Sequence, residues 1–401
     1  MDQKMKLACI PQQQYSDYRF NVIFNAYKWD PQVGDHNTIA KHVLLLDSDT
    51  ARQLEALAEQ LAEETIRMEE ALLKNLLLVK ELGLPSAVRK WLNHMTNYNR
   101  RDHIRLMRFD FHPTPDGWAV SEVNSDVPGG FAEASVLPQI ACPYFPGYRP
   151  GIHMGDRMLQ AFVPKIKKSG TIAFVHATSY ADDRQVMQFL GDYMNQYGYP
   201  TIFAAPDHIR FQQQKAFSII EGQEGEVDGI VRFFPLEWLN CLSRSSHPEG
   251  YYDTITASCN HPAAILTQSK RLPLVWDRLK VEIPAWKALL PETRDPKEIP
   301  PGLEEWIYKP ALGRVGEDIS IKEALPLKEY QRIQKAARRH PRDWIAQRRF
   351  NSQPLISPDG QEYHLCIGVF TIDGKCGGFY GRISTLPRID EKAQDIPILI
   401  L

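Results

Sequence analysis

The chain has 401 residues, 43% of them hydrophobic and 24% charged, with a formal net charge of -2. That length admits two or three domains with sizeable cores, and the near-neutral balance gives no global pull toward nucleic acid or anionic membrane. No run approaches a membrane span, Met1 to Ile10 lacks a signal-peptide core, and the six cysteines show no CxxC pair or framework spacing, so a cytoplasmic protein with reduced thiols and no structural zinc is expected.

Residues 1–46 are aromatic and polar without a clear period, and no role follows from them. Ser48 and Asp49 then offer caps for a long helix running to Leu82, in which Leu54, Leu57, Leu61, Ile66, Met68, Leu72 and Leu76 recur at helical intervals. Gly83 and Pro85 mark its end. One apolar stripe of this kind faces the protein's own core. A shorter helix is expected over 88–95.

Arg108-Phe-Asp110 and Ser121-Glu122-Val-Asn124-Ser125-Asp126 follow, separated by the turn cluster Pro113-Thr-Pro-Asp-Gly117. Two extended runs around such a turn make a hairpin, and alternate positions then share a face. Asp110, Glu122 and Asn124 converge on that face. Two carboxylates and an amide oxygen are hard donors suited to a magnesium ion that keeps further positions for water and phosphate. Arg108, on the same strand face, is a fixed cation of the kind phosphoryl transfer requires. The same residues also suit a polar hairpin with a solvated acidic edge. Val127-Pro-Gly-Gly130 next lets backbone approach a ligand or makes a tight turn, and residues 131–139 read as a helix.

From Gly170 the pattern changes to strand 171–175, helix 182–197, strand 201–204 and strand 227–233, a βαβ arrangement that implies a parallel sheet with right-handed crossovers. The turn after the first strand, His176-Ala-Thr-Ser-Tyr180, lacks GxGxxG, which disfavours a dinucleotide site. His176 at the strand end is either a substrate contact or a satisfied structural residue.

The remaining basic signals come late. Lys270 stands in Gln268-Ser-Lys270-Arg. Lys309 ends the apolar run Trp306-Ile-Tyr-Lys309 and leads into Ala311-Leu-Gly313-Arg314-Val315-Gly316. A lysine entering a glycine loop fits a phosphate-covering flap or an ordinary hairpin, and the absence of GK[ST] excludes a Walker A loop. Trp344 to Phe350, including Gln347, Arg348, Arg349 and Phe350, reads as a strand able to border an adenine. Residues 364–371 and 376–382 alternate about Asp373-Gly374 as a hairpin, with Arg382 after Gly377-Gly378 in reach of a phosphate or at a solvated strand end. The basic cluster 335–342 reads as an exposed helix end.

Taken together, these motifs resemble the glutathionylspermidine synthetase family of ATP-grasp ligases from about residue 90 onward. Arg108-Phe-Asp110 with Glu122-Val-Asn124 resembles the family's R-x-D and E-x-N signature, Phe233-Phe-Pro-Leu-Glu-Trp its aromatic-Pro-x-Glu-Trp segment, Lys270 the lysine of its N-K motif, and Lys309-Pro310 with Gly313-Arg314-Val-Gly316 its flap. The resemblance implies a circularly permuted α/β (α+β) ATP-grasp fold with a Rossmann-like pre-ATP-grasp domain. Its expected divisions are 1–165 (helical region plus metal hairpin), 166–260 (substrate-binding region) and 261–401 (nucleotide-binding region). It also implies ATP held by Arg108, Asp110, Lys270, Lys309, Val315, Gly316 and Gln347 to Phe350, magnesium on Asp110, Glu122 and Asn124, and Arg108 and Arg382 acting on the transferring phosphoryl group.

The implied reaction joins a small-molecule carboxylate to an amine through an acylphosphate, with acyl transfer to a carrier-protein thiol or peptide terminus, or a silent nucleotide-binding protein, as alternatives. Two departures stand out. No amidase domain like that of the bifunctional members is expected within these residues, and Val127-Pro-Gly129 stands where many members have Ser or Thr, at positions that the resemblance sets beside the acyl substrate.

Overall fold

A computed structural model describes residues 4–95, 98–300, 302–313 and 318–401. Four sheets carry most of the architecture. The central one is antiparallel, in the order Gln394–Ile396, Lys375–Ser384, Glu362–Ile372, Leu106–Thr114, Gly117–Asn124. Its two hairpins form where the turn chemistry directs them: Asp373 and Gly374 both adopt positive φ (48° and 81°), as a tight two-residue turn requires. This sheet unites strands more than two hundred residues apart in the chain.

The helix Ser48–Lys74 covers one face of that sheet, burying Leu54, Leu61, Met68 and Leu72. Its cap is Asp47, whose carboxylate accepts from the Thr50 amide at 2.8 Å, rather than Ser48 or Asp49. The helix also stops at Lys74, because Asn75 leaves helical dihedrals (φ -134°, ψ 68°), and a separate turn, Leu76–Val79, continues toward Gly83. Strongly apolar spacing concealed that break. The shorter helix is found at Ser86–His94, and the next at Phe131–Ala141.

The expected βαβ unit is present as a wholly parallel sheet, ordered Ala257–Cys259, Gly229–Phe233, Ile172–His176, Thr201–Ala204, with Ala181–Gln196 as crossover helix. A three-stranded antiparallel sheet places Trp306–Pro310 beside Trp344–Arg348. The helix Leu327–Arg339 seals it with Tyr330, Ile333 and Ala337, and leaves its basic end exposed. The period-free N-terminal segment forms Met5–Cys9, the helix Tyr15–Asn25 and His42–Leu46; the two strands share a sheet with Ile398–Ile400 and Arg149–Pro150. No described helix is long and apolar enough to cross a membrane.

Candidate active site

The hairpin Leu106–Thr114 / Gly117–Asn124 sets Arg108 opposite Asn124 and Asp110 opposite Glu122. Phe109, Phe111 and Val123 alternate into the core, so the polar positions share the other face. There Arg108 clasps Asp110 with two parallel bonds, Nε to Oδ1 at 2.7 Å and Nη2 to Oδ2 at 2.9 Å, and Asn124 Nδ2 donates to the same carboxylate at 3.1 Å. Gly368, across from Asp110, makes room: a Cβ there would lie 2.7 Å from Arg108 Cδ. The guanidinium is further held by the Gly129 carbonyl (2.7 Å) and lies over the Tyr380 ring, 5.1 Å from its centroid.

Both lysines arrive at this face from the other end of the sequence. Lys270 Nζ pairs with Glu122 Oε2 at 3.0 Å and donates to Gly313 O at 2.6 Å, and Lys309 Nζ donates to Ser121 O at 3.2 Å. Burial pushes the Glu122 carboxyl up, but Lys270, Lys309 and Arg108 outweigh it and bring it down to about 2. Burial pushes the Lys309 ammonium down to about 8 against the pull of Glu122 and Asp110, with Lys270 adding repulsion. A cation destabilised in this way gains most from an incoming polyanion.

A cavity of about 520 Å³ opens on these groups. Arg108, Asp110, Glu122, Asn124, Lys309, Arg349, Phe350 and Arg382 all line it. Arg382 donates through Nη2 to Asp390 O, and its Nε stands 3.9 Å from Asp395 Oδ1. A recess of about 30 Å³ adjoins, bordered by Glu122, Lys270, Trp276, Leu290 and Gln347. Gln347 Nε2 donates to Thr293 Oγ1 at 3.0 Å, and its buried Oε1 has no hydrogen-bond partner among the described residues.

The profile of a family described as "Glutathionylspermidine synthase preATP-grasp" matches residues 13–401. This chain belongs to that family. A Haemophilus influenzae protein named "Putative acid--amine ligase" is 24% identical over 237 residues, covering 56% of this chain and 57% of that relative, so the match spans little more than half of either. The solved apo structure of a glutathione synthetase-like effector from Globodera pallida superposes with a TM-score of 0.62 at 11% identity, over 98% of this chain and 100% of that one. The fold is accordingly a glutathione synthetase-like, ATP-grasp type α/β fold.

In this member of the glutathionylspermidine synthase family the polar trio is not a closed metal centre. Among the described residues no three His, Cys, Asp or Glu side chains group as metal ligands. Two carboxylates on neighbouring strands, facing a cavity beside an amide, nevertheless match the hard-oxygen preference of magnesium, which routinely completes its shell with water and phosphate. Arg348 lies apart from the other sequence candidates: it stacks on Trp306 (4.9 Å) and pairs with Glu292 at 3.2 Å, away from the cavity. A strand turns only alternate residues to one side, so four consecutive residues cannot all face one ligand. Arg314, Val315 and Gly316 of the glycine loop fall outside the described residues.

His176 is structural. It is buried, with Nδ1 bonded to the Phe174 carbonyl at 3.2 Å, and it does not border the cavity. Ser125 and Asp126 also turn inward, as partners of Arg105 and Arg232.

Among the cavity residues that sequence reading did not single out, Lys28, His112, Tyr380 and Asp395 hold the charged face in place. Lys28, from the period-free segment, sits between Glu133 (3.1 Å) and Asp395 (2.7 Å). Asp395 also accepts from Tyr380 Oη at 2.7 Å, so the N-terminal segment is tied to the ring beneath Arg108. His112, pushed down to about 4 by burial, donates from Nδ1 to Leu365 O (3.1 Å), which leaves Nε2 as acceptor for Ser121 Oγ (3.0 Å). Strand alternation points to His112 from Arg108 and Asp110 and to Tyr380 from Arg382; nothing local points to Lys28 or Asp395.

Proposed function

We propose that the chain is an ATP-dependent carboxylate–amine ligase that releases ADP and phosphate. One observation carries the reading: Arg108, Asp110 and Glu122 from one end of the sequence line one cavity with Lys309 from the other, and Lys270 joins them from the adjoining recess by pairing with Glu122 at 3.0 Å, an arrangement that suits a triphosphate beside a reacting carboxylate. The family's name and that of the Haemophilus influenzae relative point the same way.

In the proposed sequence a carboxylate oxygen of the acyl substrate attacks the terminal phosphorus of ATP, and the bond to the bridging oxygen breaks, releasing ADP. The amine nitrogen then attacks the carbonyl carbon of the acylphosphate, the carbon–oxygen bond breaks, phosphate departs with the bonding pair, and the nitrogen loses its proton. Lys270 and Lys309 neutralise the phosphate oxygens, while Arg108, held flat by Asp110 and Tyr380, faces the charge that spreads over the transferring group. Arg382, on the same sheet and lining the same cavity, would act on the same group or on the leaving phosphate. Gln347, whose buried Oε1 has no hydrogen-bond partner among the described residues, and Arg349 and Phe350 on the cavity wall are the candidates to border the nucleobase. Asp110, Glu122 and Asn124 would hold magnesium, which when bound supplies charge neutralisation between phosphate oxygens.

Arg108→Ala provides the test. The variant is expected to retain Mg-ATP binding within about threefold by calorimetry and to lose acid-dependent ADP formation by about 10²–10³-fold, the scale for removing one charged stabiliser. An unchanged ADP rate would remove Arg108 from the reaction.

A further inference from the structure

Arg108 takes its orientation from more than its bonds to Asp110. Its guanidinium lies over the ring of Tyr380, and that ring is tightly packed: a Cβ on Gly130, which holds positive φ (97°), would stand 2.8 Å from Tyr380 Cδ1. The angle of the ring is set at its other end, where Oη donates to Asp395 Oδ1 at 2.7 Å. Burial pushes the Tyr380 phenol up and the Asp395 carboxylate adds to the effect, so the hydroxyl stays a donor.

Asp395 is gripped from the N-terminal segment. Its amide donates to Thr38 O at 2.7 Å, its carbonyl accepts from the Ala40 amide at 3.0 Å, and its Oδ2 pairs with Lys28 Nζ at 2.7 Å. Lys28 is fixed in turn by Glu133 at 3.1 Å. Burial pushes this ammonium down, but Asp395 and Glu133 outweigh it and hold it well above its ordinary range. The same carboxylate lies opposite Arg382 in the strand pair, 3.9 Å from its Nε. Asp395 thus stands against Arg382 directly and against Arg108 through the Tyr380 ring. An apolar pair could fill the space of a buried Lys28 and Asp395 without the desolvation of two charges. Their place behind the arginines is what a positioning role explains.

We propose, resting on the ligase reading, that Lys28, Asp395 and Tyr380 are positioning residues through which the N-terminal segment sets the plane of Arg108, and with it the rate of phosphoryl transfer rather than the affinity for nucleotide. A cation out of line with the transferring group loses rate steeply, by about 10²-fold for a displacement of about 1 Å.

Tyr380→Phe keeps the ring and removes only its bond to Asp395. ADP formation from Mg-ATP would be followed in the full chain with glutathione and with dipeptides ending in Phe or in Glu as acids, and hydroxylamine as the amine. The variant is expected to lose about tenfold in kcat, with the Kd for Mg-ATP by calorimetry unchanged within about twofold and the melting temperature within a few degrees. Tyr380→Leu, which also removes the ring face, should lose about 10²-fold. Lys28→Met should reproduce the Tyr380→Phe loss from a side chain that does not itself hold Arg108. Nitrogen-15 NMR supplies a readout independent of turnover. The Arg108 Nε–H signal, assigned by its disappearance in Arg108→Lys, lies in the ring current of Tyr380 and should move in Tyr380→Phe and in Lys28→Met alike.

Full ADP formation by Tyr380→Phe, or a Kd for Mg-ATP that weakens in step with kcat, would overturn the positioning role. An Arg108 signal unmoved in Lys28→Met would overturn the part given to the N-terminal segment. If the unaltered chain forms no ADP with any of these acids while the Arg108 signal still moves, the ligase reading fails and the coupling of Lys28 to Arg108 stands without it.

Discussion

Two networks of buried charge lie a few residues apart on the same strand pair, and they are built on opposite terms. Around Arg105, 4% exposed, every guanidinium nitrogen has a protein partner: Glu69 at 2.9–3.1 Å, the Ser125 and Leu106 carbonyls, Asn260 and Thr267. Asn260 in turn bridges the carbonyls of Leu106 and Asp126, each at 2.8 Å. Around Arg108 the charges are also largely buried but face open volume, and each cation lies on the border of a cavity. Burial of charge does not mark a functional site; the marker is a charged group whose neighbours include empty space. Closed networks of the first kind fix the relative placement of elements, here the long helix, the hairpin and the parallel sheet, whereas open ones await a ligand.

That contrast predicts separable losses. Arg105→Ala leaves Glu69 buried without its cation and should cost about 3–5 kcal/mol, read as a lowered midpoint in urea; a change under about 1 kcal/mol would mean that the network does not hold the elements together. Glu122→Gln belongs to the open network and should do the reverse. ADP formation is expected to fall about 10³-fold while the melting temperature stays within a few degrees, and undiminished turnover would place Glu122 outside the reacting centre.

A smaller effect comes from Lys309. Its ammonium titrates at about 8 in the nucleotide-free protein, and a bound polyphosphate raises that value. Affinity for Mg-ATP is therefore full below pH 8 and falls as pH rises through it, by up to about tenfold per pH unit. Calorimetry from pH 7 to 9 should show this fall, and Lys309→Arg, always charged, should flatten it. The smallest effect is expected at Arg348, which stacks outward on Trp306 and pairs at the surface. Arg348→Ala should move stability by about 0.5 kcal/mol or less and leave the KM for ATP unchanged; a tenfold rise would turn that side chain back toward the nucleotide.

Sequence made the local geometry legible. The alternation through Arg108, Asp110, Glu122 and Asn124 fixes a shared strand face, the short apolar runs give the parallel strands, and Asp373-Gly374 gives its turn, because each signal acts within a few residues. It made the two networks indistinguishable. Ser125 and Asp126 read as extensions of the polar motif, yet both turn inward to arginines, since the strand ends at Asn124 and alternation no longer governs them. Lys28 was invisible for another reason. Its partners Glu133 and Asp395 come from remote parts of the chain, and a lysine among aromatics without a period carries no sign of the carboxylates that will enclose it. The break at Asn75 was hidden by leucines that continue their spacing across it.

The edge sheet that gathers Met5–Cys9, His42–Leu46 and Ile398–Ile400 has a consequence for how the protein comes into being. On the ribosome the strand His42–Leu46 is made long before its parallel neighbour, and Lys28 emerges long before Asp395. Contacts of such sequence separation form late. During synthesis, then, the floor beneath Tyr380 and Arg108 is missing, and a nascent chain that already displays both lysines has no assembled centre for them to join.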